Sequence, residues 1–226
     1  MRILKYFDIK VEEKKEEKGV EKLTENIRRI DISIPCHFNI HFTDEEPRIS
    51  FNINKRSIHY SVKDGVILIT KRSDYTQGFN TNESIDLYLS KQLSKITLRG
   101  DTIFEDVNFG LFDHLEMTNS AKATINDFKK NEISIHTINN AIVNIDSEKP
   151  FIEYLEISAS SNSKIYAKNL NALKVHSVSA SYAQIEVHAI EELNAEVKGT
   201  SLQTVYGNPP AIDKKIESIG NLKIVD

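Results

Sequence analysis

The chain has 226 residues, which is long enough to bury a single all-β core and does not require two domains. Apolar residues make up 39% of the sequence and charged residues 27%, a balance that is ordinary for a folded globular chain and too polar for a membrane protein. The formal net charge of -4 lacks the basic surplus of nucleic-acid-binding domains, and the single cysteine, Cys36, excludes an intramolecular disulfide bond.

Residues 1–27 form a charged N-terminal segment, for which the sequence predicts a solvated helix or a flexible tether. Between Glu12 and Asn26, Glu and Lys recur and only Val20 and Leu23 are apolar, so opposite charges three and four positions apart would support a helix. No apolar run reaches the length of a signal peptide or of a membrane span. Two locations therefore stay open: the cytoplasm, or the cell surface or periplasm if a leader has been removed.

Residues 28–92 are predicted to form a β-rich N-terminal cap. Several short runs alternate apolar and polar residues, which is the two-residue period of a half-buried strand. Asp64 and Gly65 are a hairpin signal, and residues 71–84 are predicted to be a loop because glycine and asparagine recur there. A cap would cover the unpaired strand edges that the open end of a solenoid exposes.

Residues 93–206 repeat about every twenty positions, which predicts the stacked coils of a β-solenoid. Two apolar columns and one column of small residues share this period: Ile125, Ile145, Ile165, Ile185 and Val205; Leu115, Ile135, Leu155, Val175 and Ala195; and Ala121, Ala141, Ser161, Ser181 and Ser201. Each coil would hold two short strands joined by a tight bend of Ser, Ala and Asn residues. Residues 207–217 are expected to leave the ladder, because Pro209 and Pro210 cannot donate to it, and residues 207–226 are expected to close the far end.

The stretches IDISIPCHFNI at residues 30–40 and DGVILI at 64–69, the serine-rich coils, and residues 206–209 and 218–221 resemble a bacterial family, the "putative auto-transporter adhesin, head GIN domain". The resemblance covers residues 28–226. It implies a right-handed, single-stranded β-helix, usually exported and often lipid-anchored, with an inferred adhesive role and no defined catalytic residues. The leader and the lipid-anchor cysteine expected of the family are missing. The family's Ser-Gly turns are replaced at Asn119, Asn139, Ala159 and Ser179, and only Gly199 is retained.

One outward column alternates acid and imidazole. With twenty-residue spacing it reads Glu116, His136, Glu156, His176 and Glu196. Neighbouring carboxylates are expected to favour protonated histidine and to raise its pKa. A divalent metal that bridges Glu156 and His176 is an alternative, because both side chains are zinc ligands. A third reading is that the alternation keeps like charges from stacking on the ladder.

Other candidate residues are more scattered. Three tyrosines at predicted outward positions could stack on sugars, although surface tyrosines also serve plain cross-strand packing: Tyr166, Tyr182 and Tyr206. His37 and His41 share a strand face and could present two imidazoles to a metal. Cys36 is not expected to act as a nucleophile with His37, because adjacent strand residues point to opposite faces.

The patterns favour a protein without catalysis and without a cofactor. We expect an adhesin-like binding module that presents a flat sheet face to a glycan or protein ligand. The alternative is a structural scaffold that forms homo-oligomers through its solenoid ends or faces. A carbohydrate-active β-helix enzyme is a third reading by fold analogy, and it would need two carboxylates about 5 to 9.5 Å apart.

Overall fold

The computed structural model describes residues 19–75, 78–79, 82–90, 93–106, 112–126, 130–147 and 151–226. Within these ranges the protein is all-β and forms a β-solenoid, which confirms the predicted fold class. The described strands are β1 (Gly19–Lys22), β2 (Arg29–Ser33), β3 (His37–Phe42), β4 (Arg48–Asn52), β5 (Ile58–Lys63), β6 (Val66–Lys71), β7 (Ser84–Leu89), β8 (Leu93–Arg99), β9 (Ile103–Asp106), β10 (Phe112–Thr118), β11 (Lys122–Ile125), β12 (Glu132–Ile138), β13 (Ile142–Ile145), β14 (Ile152–Ser160), β15 (Lys164–Ser179), β16 (Gln184–Val197), β17 (Leu202–Tyr206), β18 (Ala211–Ile216) and β19 (Asn221–Val225). A short 3-10 helix, Lys55–Ser57, precedes β5. None of the described residues form a helix with the length and apolar character of a membrane span.

The strands stack in two ladders, and each coil contributes one strand to each ladder. The first ladder runs in space through β5, β6, β2, β8, β10, β12, β14, the C-terminal parts of β15 and β16, and β18. The second runs through β1, β4, β7, β3, β9, β11, β13, the N-terminal parts of β15 and β16, β17 and β19. Among these pairings, only β1–β4, β4–β7 and β5–β6 are antiparallel.

The core lies between the two ladders and changes character along the solenoid. Near the N-terminal end it is aromatic, and the rings of Phe38 and Phe104 lie 6.0 Å apart between centroids. Near the C-terminal end it contains polar side chains that satisfy each other: Ser177 donates to Gln203 Oε1 at 2.7 Å, and Gln203 Nε2 donates to Ser179 Oγ at 3.0 Å. Because these fully buried groups are hydrogen-bonded, they add register specificity without an unpaired polar group.

The first corner of each coil has a fixed length. Ile135 pairs with Ile157 and Val143 pairs with Ile165, so eight residues separate the inward positions across this corner in both coils. One buried corner position per coil holds a small side chain: Thr102, Ala121, Ala141, Ser163, Ala183 and Ser201. A larger side chain would not fit, since protein interiors are close-packed.

The tip of this corner is a left-handed backbone residue in successive coils. These residues are Gly100, Asn119, Asn139, Ser161, Ser181, Gly199 and Ser218, with φ between 62° and 71°. Glycine and asparagine tolerate this region better than other residues. At Gly199 the space is also restricted, because an added Cβ would lie 3.0 Å from the backbone nitrogen of Ser181.

The second corner varies in length, so the repeat is not uniformly twenty residues. Leu115 pairs with Ile135, twenty residues on, whereas Ile135 pairs with Ile157, twenty-two residues on. Further along, Val175 pairs with Leu193, only eighteen residues on. These three steps are even, but Ile96 pairs with Leu115 and Ala195 pairs with Lys214, each nineteen residues on. Inward positions pair with inward positions in all of these steps, because the corner and not the strand takes up the difference in length.

The unequal steps correct the predicted columns. Ile165 pairs with Val143 and not with Ile145, and Ala195 pairs with Ser177 and not with Val175. The positions were assigned to the correct face, because a shift of two residues preserves the strand period. The predicted neighbours across these two unequal steps were wrong, whereas those across twenty-residue steps are confirmed, as for Ile125 with Ile145 and Ile165 with Ile185.

The same unequal steps correct the predicted column of small residues at the corners. Ser161 and Ser181 form the left-handed tip, and the buried small position belongs to the residues two places further on. Ala159 and Ser179, which the family resemblance placed in turns, are buried strand residues.

Residues 28–92 contain more than the expected cap. β2 and β3 form a complete coil with parallel neighbours on both sides. The antiparallel strands β1, β4 and β5 cover the N-terminal end instead. An alternating run has the same appearance in a parallel and an antiparallel strand, so the sequence pattern does not separate coil from cap. β1 also replaces the expected helix or tether at Gly19–Lys22, and residues 1–18 lie outside the described residues.

The C-terminal coil differs from its prediction as well. Ala211–Ile216 pairs in parallel with β16, so the expectation that residues 207–217 leave the ladder is wrong. Pro209 and Pro210 lie between β17 and β18, where no ladder donor is required. β18 and β19 then form the last coil, and each has a ladder neighbour on one side only within the described residues.

Substitutions at two corner glycines test whether close stacking adds to backbone strain. Gly199→Ala should lower the free energy of unfolding by more than the roughly 1–2 kcal/mol of a left-handed alanine, because its Cβ also meets Ser181. Gly100→Ala is the matched control, since φ is 69° there but no atom lies within 4 Å of the added Cβ. Urea unfolding measures both, and equal losses would contradict the stacking argument.

Candidate functional site

The structure divides the predicted acid and histidine column between two adjacent columns on the outer face of the first ladder. The observed neighbours are Glu116 with His136 and Glu156 with His176. The twenty-two-residue step places Ser158, and not Glu156, beside His136. After the eighteen-residue step, His176 pairs with Asn194 and not with Glu196. Glu196 pairs with Val178 and so lies in the column of His136, three coils further on.

Two carboxylates of the predicted column are paired with lysines, whereas the metal bridge between Glu156 and His176 stays a prediction. Lys95 forms an ion pair with Glu116, and Lys198 forms one with Glu196 at 2.5 Å. The hydrogen bond from each lysine holds the pKa of its carboxyl below the ordinary value. In the part of the chain that the structure describes, no group of three or more His, Cys, Asp or Glu side chains is placed to hold a metal ion.

His136 is held by two serines. Its Nε2 lies 2.8 Å from Ser134 Oγ, and its Nδ1 lies 2.6 Å from Ser158 Oγ. A neutral imidazole satisfies both contacts, because one ring nitrogen donates, the other accepts, and each hydroxyl can do either. Burial lowers the pKa of His136, and this effect exceeds the opposing effect of the Glu156 carboxylate. The expectation that neighbouring acids raise the pKa of this histidine is therefore wrong.

A groove of about 230 Å³ lies beside His136 on the same face. In one column, Ser134 lies between His114 and Glu156. Because the serine side chain is shorter than the side chains on either side of it, it forms the floor of the groove. In the next column, Glu132 pairs with Tyr154. The groove therefore combines one aromatic ring, one imidazole and three carboxylates, those of Asp113, Glu132 and Glu156, within three adjacent strands, β10, β12 and β14.

Tyr154 is the aromatic side chain of this groove, and sequence analysis did not single it out. Its side chain is half-exposed, with 37% of the residue surface accessible. Partial burial raises the pKa of its phenol, and the Glu156, Glu192 and Glu132 carboxylates act in the same direction. Tyr154 and Glu156 are two positions apart, so the strand period alone could have placed both on one face.

Two of the three predicted tyrosines, Tyr166 and Tyr206, lie on the second ladder, and Tyr182 lies in a corner. Tyr166 pairs with Asn144 and Glu186 on the second ladder, and Tyr206 pairs with His188 there. Tyr182 follows the left-handed tip of a corner and is 71% exposed. The structure does not join them in one column, so they do not form a continuous stacking surface.

The other sequence candidates have structural partners. Asn39 Nδ2 donates to Asp86 Oδ1 at 2.9 Å, and His41 Nε2 lies 3.2 Å from the same oxygen. The His41 ring also stacks on Tyr88, with 4.6 Å between centroids. Cys36 is buried, and burial raises the pKa of its thiol to about 12. The thiolate that a nucleophile requires is therefore disfavoured.

Comparisons with known proteins identify the family. A family model described as "Putative auto-transporter adhesin, head GIN domain" matches residues 29–209. The chain belongs to this family. The match confirms the resemblance drawn from the sequence and covers both the coils and most of the N-terminal region. A search of curated proteins finds no match.

Solved structures share the GIN-domain fold at low sequence identity. A "putative adhesin" from Bacteroides fragilis is 16% identical with a TM-score of 0.79, and the match covers 92% of this chain and 96% of that one. A "putative adhesin" from Parabacteroides merdae is 13% identical with a TM-score of 0.72 over 93% and 96% of the chains. A "putative lipid binding protein" from Parabacteroides distasonis is 17% identical with a TM-score of 0.72 over 93% and 96%. At these identities the likeness concerns the fold alone.

The pKa of His136 determines the sign of a pH effect on stability. Because folding lowers this pKa below its ordinary value of 6.5, the unfolded chain binds a proton more readily than the folded one. Stability should therefore fall as the pH is lowered from neutral through 6.5 and then through the folded pKa. His136→Gln should lose less stability than the wild type between pH 7.5 and 5.5 in urea unfolding.

The control for this experiment is His59→Gln, which removes an exposed histidine. It should keep the pH dependence of the wild type. A His136→Gln protein that loses more stability than the wild type on acidification would show that the folded state raises the pKa of His136.

Proposed function

We propose that this GIN-domain protein is an adhesin-like binding module that holds a neutral glycan on the outer face of its first ladder. The observation that carries the proposal is the groove in which Tyr154 lies beside Glu132 and Glu156. Membership of an adhesin family supports a binding role in general. It also favours the cell surface or periplasm over the cytoplasmic alternative.

The side chains of the groove suit an uncharged sugar. The exposed part of the Tyr154 ring can cover the apolar C–H face of a pyranose. The carboxylates of Glu132 and Glu156 can accept hydrogen bonds from hydroxyl groups, and such charge-assisted bonds are stronger than neutral ones. The same carboxylates would repel an acidic sugar, so the groove should favour neutral ligands.

The size of the groove suits binding without catalysis. Sites that enclose small molecules usually measure about 300–1,000 Å³, whereas this groove measures about 230 Å³ and is open to solvent. A shallow site of this kind can hold one sugar unit of a longer chain on a flat face. The stacked coils would then present neighbouring units with further polar side chains.

Binding to immobilised neutral polysaccharides, namely mannan, dextran and galactan, tests the proposal. Tyr154→Ala should weaken binding about tenfold or more, as expected for an aromatic anchor. Glu156→Gln should weaken it as well, because it removes the charged acceptor and keeps the shape of the side chain. Biolayer interferometry with purified protein measures both.

The matched control is Tyr166→Ala, which removes a tyrosine from the second ladder. It should leave binding unchanged. Wild-type protein that binds none of the three polysaccharides, or equal losses in Tyr154→Ala and Tyr166→Ala, would contradict a glycan site in the groove. Release of reducing sugars from the polysaccharides would contradict a role without catalysis.

Self-assembly is the second candidate function, and the C-terminal coil favours it. β18 is exposed along its whole length, and its free edge carries Ile212 and Ile216, which are 42% and 46% exposed. Ile219, in the corner that follows, is 76% exposed. Lys214 opposes this role, because it lies in register with the inward-facing Ala195 and an inward charge on an edge strand discourages pairing.

A concentration series tests assembly through this edge. If the edge mediates it, the mass measured by light scattering should increase with protein concentration, and Ile216→Asp should abolish the increase. Ile138→Asp is the control, since Ile138 is similarly exposed at 43% but lies in a central coil. A constant monomer mass at all concentrations would exclude self-assembly as the function.

A further inference from the structure

A second pocket, of about 780 Å³, opens at the N-terminal end of the solenoid. Its sides are the antiparallel strands that extend the two ladders: β5 on the first, and β4 with β1 on the second. Four side chains at inward positions of these strands line the pocket: Glu21, Phe51, Ile58 and Tyr60. The volume lies in the range of about 300–1,000 Å³ that is typical of small-molecule sites.

Two aromatic rings form the apolar part of this end pocket. Phe51 and Tyr60 meet edge to face, with 5.1 Å between ring centroids. Phe51 pairs with Ile85 and Tyr60 pairs with Ile69, so both rings belong to the last layer of the core. Tyr60 remains partly exposed, and burial raises the pKa of its phenol to about 12, which keeps it as a neutral hydrogen-bond donor.

Cationic side chains surround the rings. Lys55 forms an ion pair with Glu21, and its Nζ lies 4.7 Å from the centroid of the Phe51 ring. Arg72 forms an ion pair with Asp74 at 2.7 Å, and both of these side chains are well exposed. Lys71 adds a third cation, and no carboxylate of the described residues pairs with it.

The position of Lys71 directs its charge to the pocket. Lys71 pairs with Ile58 at the end of β6, and its strand period matches the inward-facing Ile67 and Ile69. An inward position on a strand would normally hold an apolar side chain. Three cations against two carboxylates leave the pocket with a net positive charge, in contrast to the acidic groove on the first ladder.

We propose that the end pocket binds a carboxylate-bearing sugar, with the pyranose ring against Tyr60 and the carboxylate between Lys71 and Arg72. The Arg72 guanidinium can exchange its exposed partner Asp74 for the ligand carboxylate, since exposed ion pairs contribute little stability. Lys71 supplies a charge that is not paired with a carboxylate of the described residues; its Nζ lies 5.8 Å from the centroid of the Phe79 ring. This site is separate from the groove proposed for neutral glycans and does not depend on it.

The polar lining favours a sugar over a fatty acid of the same charge. Glu21, His59 and Ser73 also line the pocket and offer hydrogen-bonding groups for hydroxyls. An acyl chain would cover these groups without bonding them, and an unpaired buried polar group is costly. A sugar carboxylate therefore matches both the aromatic rings and the polar wall.

Calorimetric titration of the full chain with methyl β-glucuronide, methyl β-galacturonide and the methyl glycoside of N-acetylneuraminic acid tests this proposal. At least one of them should bind, and methyl β-glucoside, the neutral counterpart of the first, should bind at least about tenfold more weakly, as expected on losing a charge-assisted hydrogen bond. Lys71→Gln should weaken binding of the acidic sugar by a similar factor. The control is Lys63→Gln, an exposed lysine at the other end of the β5–β6 hairpin, which should have no effect.

Several results would overturn the proposal. These are the absence of binding by all three acidic sugars, equal binding of the neutral glucoside, and equal losses in Lys71→Gln and Lys63→Gln. Binding of octanoate as strong as that of the acidic sugar would assign the pocket to apolar carboxylates instead. Glu156→Gln should leave acidic-sugar binding intact, so failure of the groove and failure of the end pocket can be told apart.

Discussion

The fixed length of the first corner is the constraint on which the solenoid depends. Eight residues separate the inward positions across it, as from Ile135 to Val143 and from Ile157 to Ile165. A left-handed tip and a buried small side chain make this turn possible in a close-packed stack. Because the corner does not vary, the two ladders advance together, and each inward residue meets its counterpart across the core.

The second corner is free to vary, and the outer face differs from coil to coil for that reason. Its changes in length leave the inward positions paired with inward positions, so the core is preserved while the outward residues of adjacent coils acquire new neighbours. One such change places Ser134 beside Glu156 and Glu132 beside Tyr154. The short serine leaves space, and the longer side chains around it form the groove. A departure from the exact repeat thus creates the site without disturbing the stack.

Charge distinguishes the two proposed ligand sites. The groove is acidic, whereas the end pocket has Lys71 in addition to its paired cations. Each site also combines its charges with an aromatic side chain, Tyr154 in the groove and Tyr60 in the pocket. The formal net charge of the chain, -4, conceals this separation because it sums over both surfaces.

Sequence patterns determined the β-solenoid, its approximate period, the inward and outward faces, and the family resemblance. These features depend on the two-residue strand period and on the recurrence of apolar residues, which are local properties of the chain. The pattern also placed Glu116 beside His136 and Glu156 beside His176, because the step between those coils is twenty residues.

Only the tertiary structure decided which residues meet elsewhere. The sequence does not mark which corner has gained or lost two residues, so the groove around Tyr154 and the hydroxyl partners of His136 were not predictable from a strict period. The direction of the His136 pKa shift depends on burial by side chains from other coils, and burial outweighs the nearby carboxylates. Likewise, apolar and polar residues alternate in the same way in parallel and antiparallel strands. Only the strand pairing in the structure distinguished the coil formed by β2 and β3 from the antiparallel strands that form the end pocket. Contacts between coils depend on hydrogen-bond register, which is set by corner length in three dimensions and not by any local property of the chain.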